Sequence, residues 1–121
     1  MQESYKTMKY IYKISDLSLW QHAEAKKCFD GAPVDHADGY IHFSTAAQVV
    51  ETAAKHFKGL TDLVLVVVDA EKLGADLKWE ISRGGARFPH LYAPLSLSAV
   101  VAVHPLPLGK DGLHDFSKVL P

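Results

Sequence analysis

Two periodicities alternate along the chain and place most of its elements. From Lys9 to Ile14, aromatic and aliphatic residues alternate with polar ones, the two-residue repeat of a β-strand. Ser15 and Asp16 then supply cap chemistry for a helix carrying Leu17, Trp20 and Ala23. It ends near Lys26–Lys27, where cations suit the helix dipole. Asp30-Gly31-Ala32-Pro33 has turn composition, and Gly39 to Phe43 reads as a short strand. Thr45-Ala-Ala-Gln48 fits a capping box, in which side chains and backbone satisfy each other's free donors. Behind it Ala46, Val49, Val50, Ala53, Ala54 and Phe57 form one helical stripe, closed by Gly59. Asp62 to Asp69 is nearly all apolar, which predicts a strand buried on both faces. A helical turn over Ala70–Gly74, a strand over Leu77–Ile81 and a glycine-rich basic loop over Ser82–Arg87 follow. An ordered aromatic segment, Phe88–Tyr92, precedes a last strand over Ala99–His104.

Helix concentrates in the first half and strand in the second, which favours an α+β fold over a doubly wound sheet. The 121 residues suffice for one domain. Residues 1–7 are polar and aperiodic and predict a flexible tail. Residues 8–108 form a single α+β domain, and residues 109–121 an irregular C-terminal tail that straps it.

Composition narrows the function. Thirteen Lys+Arg against fourteen Asp+Glu give a net charge of −1, which disfavours nucleic acid as a partner. A single cysteine forms no internal disulfide. The longest apolar run, Leu63 to Val68, falls far short of the ~20 residues of a membrane-spanning helix. No secretory or lipidation signal is visible, so a cytoplasmic protein without membrane contact is expected. The unusual entry is histidine, with seven residues. No His/Cys pair has zinc-finger spacing and no His-Glu-x-x-His occurs, so no metal is expected.

Four segments carry candidate chemistry. In Gly39–Thr45, strand alternation sets Tyr40, His42 and Ser44 on one face, with Ile41 and Phe43 on the other. This brings an imidazole and a hydroxyl together beside a helix N-terminus; the competing reading is a core histidine with Ser44 as a plain cap. Glu80 follows the core candidate Trp79 and faces the opposite side, as a tuned carboxylate or as a solvated edge residue. Ser82-Arg-Gly-Gly-Ala-Arg87 lets backbone approach a ligand and offers Arg83 and Arg87 to phosphate, or is a solvated hairpin loop. Phe88-Pro-His-Leu-Tyr92 surrounds His90 with rings that can stack on a flat ligand, or is a packed loop. Cys28 and His22, His36, His56, His104 and His114 lack a motif context.

Taken in order, Tyr10–Ile14, Gly39–Ser44, Trp79-Glu80 and Phe88–Tyr92, with Gln48 in the intervening helix, resemble the small bacterial family known as domain of unknown function 952. The resemblance spans Met8 to Leu106. The chain has Ala93 where glycine is usual, Tyr40 where phenylalanine is common, and Lys13 where histidine is frequent. That family is similar to the ADP-ribosyltransferase-like fold, which implies two small, mostly antiparallel sheets forming a cleft, flanked by two main helices. The resemblance implies NAD as a possible substrate, and a small nucleotide-like ligand in the cleft. By order, Lys13 matches the early basic position, His42 and Ser44 the middle segment, and Glu80 the late carboxylate; neither an Arg-Ser-Glu nor a His-Tyr-Glu signature is intact. Glu80 and His42 are then the catalytic candidates. Tyr12, Lys13, Ser44, Arg83, Arg87, Phe88, His90 and Tyr92 are the binding candidates. The implied activity is ADP-ribosyl transfer or glycosidic cleavage, against the alternative of a non-catalytic small-molecule binding module.

Overall fold

The structure is a computed structural model that describes residues 8–121, without the side chain of Arg83. The tail predicted over residues 1–7 lies outside the described residues. In chain order the elements are β1 (Tyr10–Asp16), α1 (Leu17–Lys26), β2 (Cys28–Phe29), α2 (Pro33–Asp38), β3 (Ile41–His42) and α3 (Ala46–His56). They continue with β4 (Leu63–Asp69), β5 (Leu77–Ile81), β6 (Arg87–Leu91), β7 (Leu95–Ser96) and β8 (Val100–Leu106). Helix and sheet are mixed as the α+β expectation has it, and every strand pairing is antiparallel. The expected pair of sheets is accompanied by a third. A central sheet is ordered β1–β4–β8, a side sheet β3–β6–β5, and β2 and β7 form a separate two-stranded ribbon.

The central sheet divides the interior into two cores. Ile11, Val64, Val66 and Val68 face Trp20 of α1 and Ile41, Phe43 and Leu91 of the side sheet. Tyr12, Ile14, Leu65 and Val67 face Val49 and Ala53 of α3, with Leu106 and Phe116. Burial on both faces explains the unbroken apolar run of β4, every residue of which is buried. The helix caps follow the sequence. Asp16 accepts from Ser18 and Leu19 N–H, and Lys27 closes α1 in the left-handed region. Thr45 and Gln48 form the expected capping box on α3, and the Gln48 amide also reaches the Arg87 carbonyl at 2.7 Å.

Two segments differ from the sequence expectation. Pro33 does not end a turn but opens α2, because a proline lacks only an N–H that the first helical turn leaves unpaired anyway. The aromatic segment Phe88–Tyr92 is largely strand β6, the middle strand of its sheet despite Pro89. Proline is normally confined to edges because it cannot donate to the ladder. Here the Pro89 carbonyl accepts from Phe43 N–H at 3.0 Å and no return bond is possible, so pairing with β3 stops at His42. The chain past this point turns to β1, where Tyr12 and Ser44 exchange backbone hydrogen bonds of 2.8 and 2.9 Å. This bridge links the central and side sheets.

Residues 109–121 are mostly irregular yet held down: Leu108 bridges His114, His114 Nε2 donates to the Leu60 carbonyl at 2.8 Å, and Phe116 is buried. Among the described residues no helix is long and apolar enough to cross a membrane. Phe116→Ala is expected to lower unfolding free energy by ~3–5 kcal/mol, as for a filled core position. Urea titration checks this, and an unchanged midpoint would show that the tail adds nothing to the second core.

Candidate functional site

The solvent-side face of the side sheet gathers the polar and aromatic candidates. His42 pairs with His90, and Glu80 with Phe88. The period of two therefore puts Tyr40 and His42, Phe88, His90 and Tyr92, and Lys78 and Glu80 on one face. Ile41, Leu91 and Trp79 point the other way, into the first core or against it. Tyr40 is the hub of this face: its ring stacks on His90 at 4.1 Å and lies 4.6 Å from His42 and 5.2 Å from Tyr92. Glu80 Oε1 accepts from His90 Nδ1 at 2.8 Å and from the Tyr92 hydroxyl at 2.7 Å. The Tyr92 hydrogen bond, then that of His90, lowers the Glu80 carboxyl below its usual range; in return the Glu80 bond pushes Tyr92 up to about 12. Glu80 is thus held as a carboxylate.

Beneath His42 lies a charge that the sequence reading did not single out. The Asp35 side chain is 1% exposed and collects four donors. Lys13 Nζ stands 3.0 Å and 2.8 Å from its two oxygens, and Ala32 N–H donates at 2.7 Å. His42 gives its backbone N–H at 3.1 Å and its Nδ1 at 2.6 Å. Burial is the largest single influence and raises the Asp35 carboxyl. The His42 hydrogen bond, the Lys13 charge and the remaining donors together outweigh it and hold the group well below the ordinary carboxylate range. Burial is also the main influence on Lys13, drawing its ammonium below the usual value while Asp35 opposes that shift. Gly31 makes room for this carboxylate: a Cβ there would stand 3.0 Å from Asp35 Cβ, and its φ of +119° suits glycine. The other ring nitrogen of His42, Nε2, meets Asp38 Oδ2 at 2.9 Å. Two carboxylate acceptors on one imidazole are both satisfied when both nitrogens carry protons.

A cavity of about 560 Å³ opens where β1, α2, the β3 segment, α3 and β6 meet. Six of the ten sequence candidates line it: Tyr12, Lys13, His42, Ser44, Phe88 and His90. Ser44 Oγ lies 3.2 Å from Thr52 Oγ1, another lining residue. Glu80 does not line it but grips His90, which does. Tyr92 lines a neighbouring cavity of about 300 Å³, reached across Tyr40. Arg87 departs from its expected place. It pairs with Ile81, on the sheet face away from Glu80, and its side chain donates to the Trp79 carbonyl at 3.4 Å. The Arg83 side chain lies outside the described residues, and Ser82 of the same loop reaches the cavity. Among the described residues no three His, Cys, Asp or Glu side chains converge to hold a metal.

Asp35, Asp38, Tyr40 and His56 belong to this region without having been candidates. Pro33 followed by Asp35 was the available signal, a proline at the first helical position and an acid in the first turn. His56 sits four residues after Thr52 and eight after Gln48, a polar stripe beside the apolar stripe of α3.

Residues 14–103 match a family described as protein of unknown function (DUF952). Among solved structures, the X-ray crystal structure of protein CC0527 from Caulobacter crescentus is similar at 52% identity and a TM-score of 0.87, over 90% of this chain and 96% of that one. Its solution NMR structure is similar at 52% identity and a TM-score of 0.83, over 92% and 96% of the two chains. None of the curated proteins matches.

Asp35→Ala should destabilise the fold by ~3–5 kcal/mol at neutral pH, since it leaves the Lys13 ammonium buried without its partner. A carboxyl depressed in the folded state contributes stability above its unfolded pKa of about 3.9 and loses it as pH falls through the folded value. The stability gap between wild type and Asp35→Asn should therefore be full at pH 7 and narrow progressively below about pH 4. Urea midpoints across pH check this; a gap constant down to pH 2.5 would show that the Asp35 charge carries no such contribution.

Proposed function

The chain belongs to the DUF952 family, and we propose that it binds an NAD- or ADP-ribose-like nucleotide in the cavity beside β1, as an enzyme that transfers ADP-ribose or cleaves the nicotinamide–ribose bond. The observation that carries the reading is the convergence of Tyr12, Lys13, His42, Ser44, Phe88 and His90 on one cavity from three separated stretches of chain. Its volume falls within the ~300–1,000 Å³ of small-molecule sites. Tyr12, Tyr40 and Phe88 offer ring faces to a base or a nicotinamide. The Ser44 hydroxyl and the His42 imidazole are hydrogen-bonding groups for a ribose or an amide. Cleaving the bond between nicotinamide and ribose develops positive charge on the sugar, and an ionised carboxylate nearby stabilises it. Glu80, held as a carboxylate by Tyr92 and His90, has the charge state for that role. The α+β fold with small antiparallel sheets accords with an ADP-ribosyltransferase-like architecture.

The alternative is a non-catalytic module using the same cavity. One observation favours it: Glu80 stands behind His90 rather than on the cavity wall. Isothermal calorimetry with NAD, ADP-ribose and nicotinamide tests the shared premise. Binding of at least one is expected, and no heat with any at millimolar concentration would overturn it. Glu80→Gln separates the two readings. The enzyme reading expects turnover to fall by ~100-fold or more, at the lower end of what a charge-stabilising group contributes. The module reading expects no turnover in wild type and an affinity change under ~10-fold.

A further inference from the structure

We propose that Nε2 of His42 is the cavity's subsite for an anionic oxygen of the ligand, carboxylate or phosphoryl, and that Asp38 occupies it until the ligand arrives. The inference rests on the cavity being a ligand site and assigns what one of its groups recognises. Two carboxylates hold the His42 ring, and they are not equivalent. The Asp35 side chain is 1% exposed and is fixed in place by Lys13 and Ala32, so giving up the Nδ1 bond would cost a buried carboxylate one of its donors where no water replaces it. The Asp38 side chain is 46% exposed, and its bond to Nε2 is a four-residue pairing at the solvent edge. Exposed pairs of this kind are worth little and exchange readily. Nδ1 is therefore a fixed anchor and Nε2 an exchangeable donor.

The exchange would take place inside the cavity, because Asp38 and His42 both line it. Rotation of the Asp38 side chain is enough to release Nε2. The ring itself stays in register, held by Asp35 below and by Tyr40, whose ring lies 4.6 Å from His42. An incoming carboxylate or phosphoryl oxygen presents the acceptor that Asp38 now presents, so it inherits a ring nitrogen already aimed at it. Asp38 then sets a threshold: a neutral ligand gains nothing by displacing it, whereas an acidic one replaces it like for like. Asp38 is in this sense a specificity residue.

Amide-detected NMR titrations with inorganic phosphate and, separately, acetate test the proposal in wild type, Asp38→Asn, His42→Gln and the double variant. Asp38→Asn should tighten binding of at least one anion by ~2- to 10-fold, the worth of one exposed pair plus the removed repulsion. In the His42→Gln background the same substitution should give a smaller gain, that of the removed repulsion alone. An equal gain in both backgrounds would mean that only bulk charge had changed, and would overturn the subsite. Imidazole nitrogen shifts in Asp38→Asn provide a readout independent of whether His42→Gln folds. A response of Nε2 without Nδ1 supports the subsite, and no response of Nε2 to either anion overturns it. If these anions move Nε2 while NAD, ADP-ribose and nicotinamide all fail to bind, the subsite stands and the nucleotide reading falls.

Discussion

A carboxylate buried in the interior is stable only if its surroundings supply donors, and Asp35 draws them from three parts of the chain. Lys13 comes from β1, Ala32 from the entry to α2, and His42 from β3. Because each partner must arrive for the charge to be tolerated, the ion cluster fixes how α2 sits between the central sheet and the side sheet. Buried ion pairs seldom add much net stability over a well-packed apolar substitute. What this one supplies is position: a ring aimed into a cavity and a lysine anchored at its base. The candidate chemistry sits on top of that constraint.

The portions of this arrangement that were legible in the sequence are those where local pattern and tertiary role agree. The apolar run of β4 announces a strand covered on both sides, and Thr45 with Gln48 announces the start of α3. Alternation along residues 40–44 puts His42 with Tyr40 and apart from Phe43, as the structure has it. What was not legible depends on partners remote in sequence. Asp35 looks like any acid in a polar stretch, since aspartate is mostly a surface residue; its distinction comes from Lys13, 22 residues earlier. Arg87 looked like a phosphate ligand beside two glycines, but the register of β6 against β5 sends it to the face away from Glu80. A shift of one residue in that register would have reversed the outcome, and nothing local fixes it.

Pro89 shows how a local defect can organise a site. In a middle strand it withholds one donor, and that single missing bond marks where β3 leaves the side sheet. Ser44, the residue after that last bond, exchanges backbone hydrogen bonds with Tyr12 of β1 and ties the two sheets together. The cavity forms at that crossing, so its walls come from both sheets and from the C-terminal half of α3. A donor at position 89 would favour a longer, more regular side sheet with no reason for the chain to cross over.

The order of strands in the central sheet has a consequence for how the molecule comes into being. The middle strand β4 pairs on one side with β1 and on the other with β8, the first and last of the eight strands among the described residues. During synthesis, which proceeds at ~5–20 residues per second, β1 and β4 can meet while one flank of β4 still lacks its neighbour. For that interval, lasting seconds, the most apolar strand of the chain presents an unpaired edge. Such an edge is a template for pairing with other chains. The time between the emergence of β4 and that of β8 is therefore the chain's window of greatest exposure to aggregation.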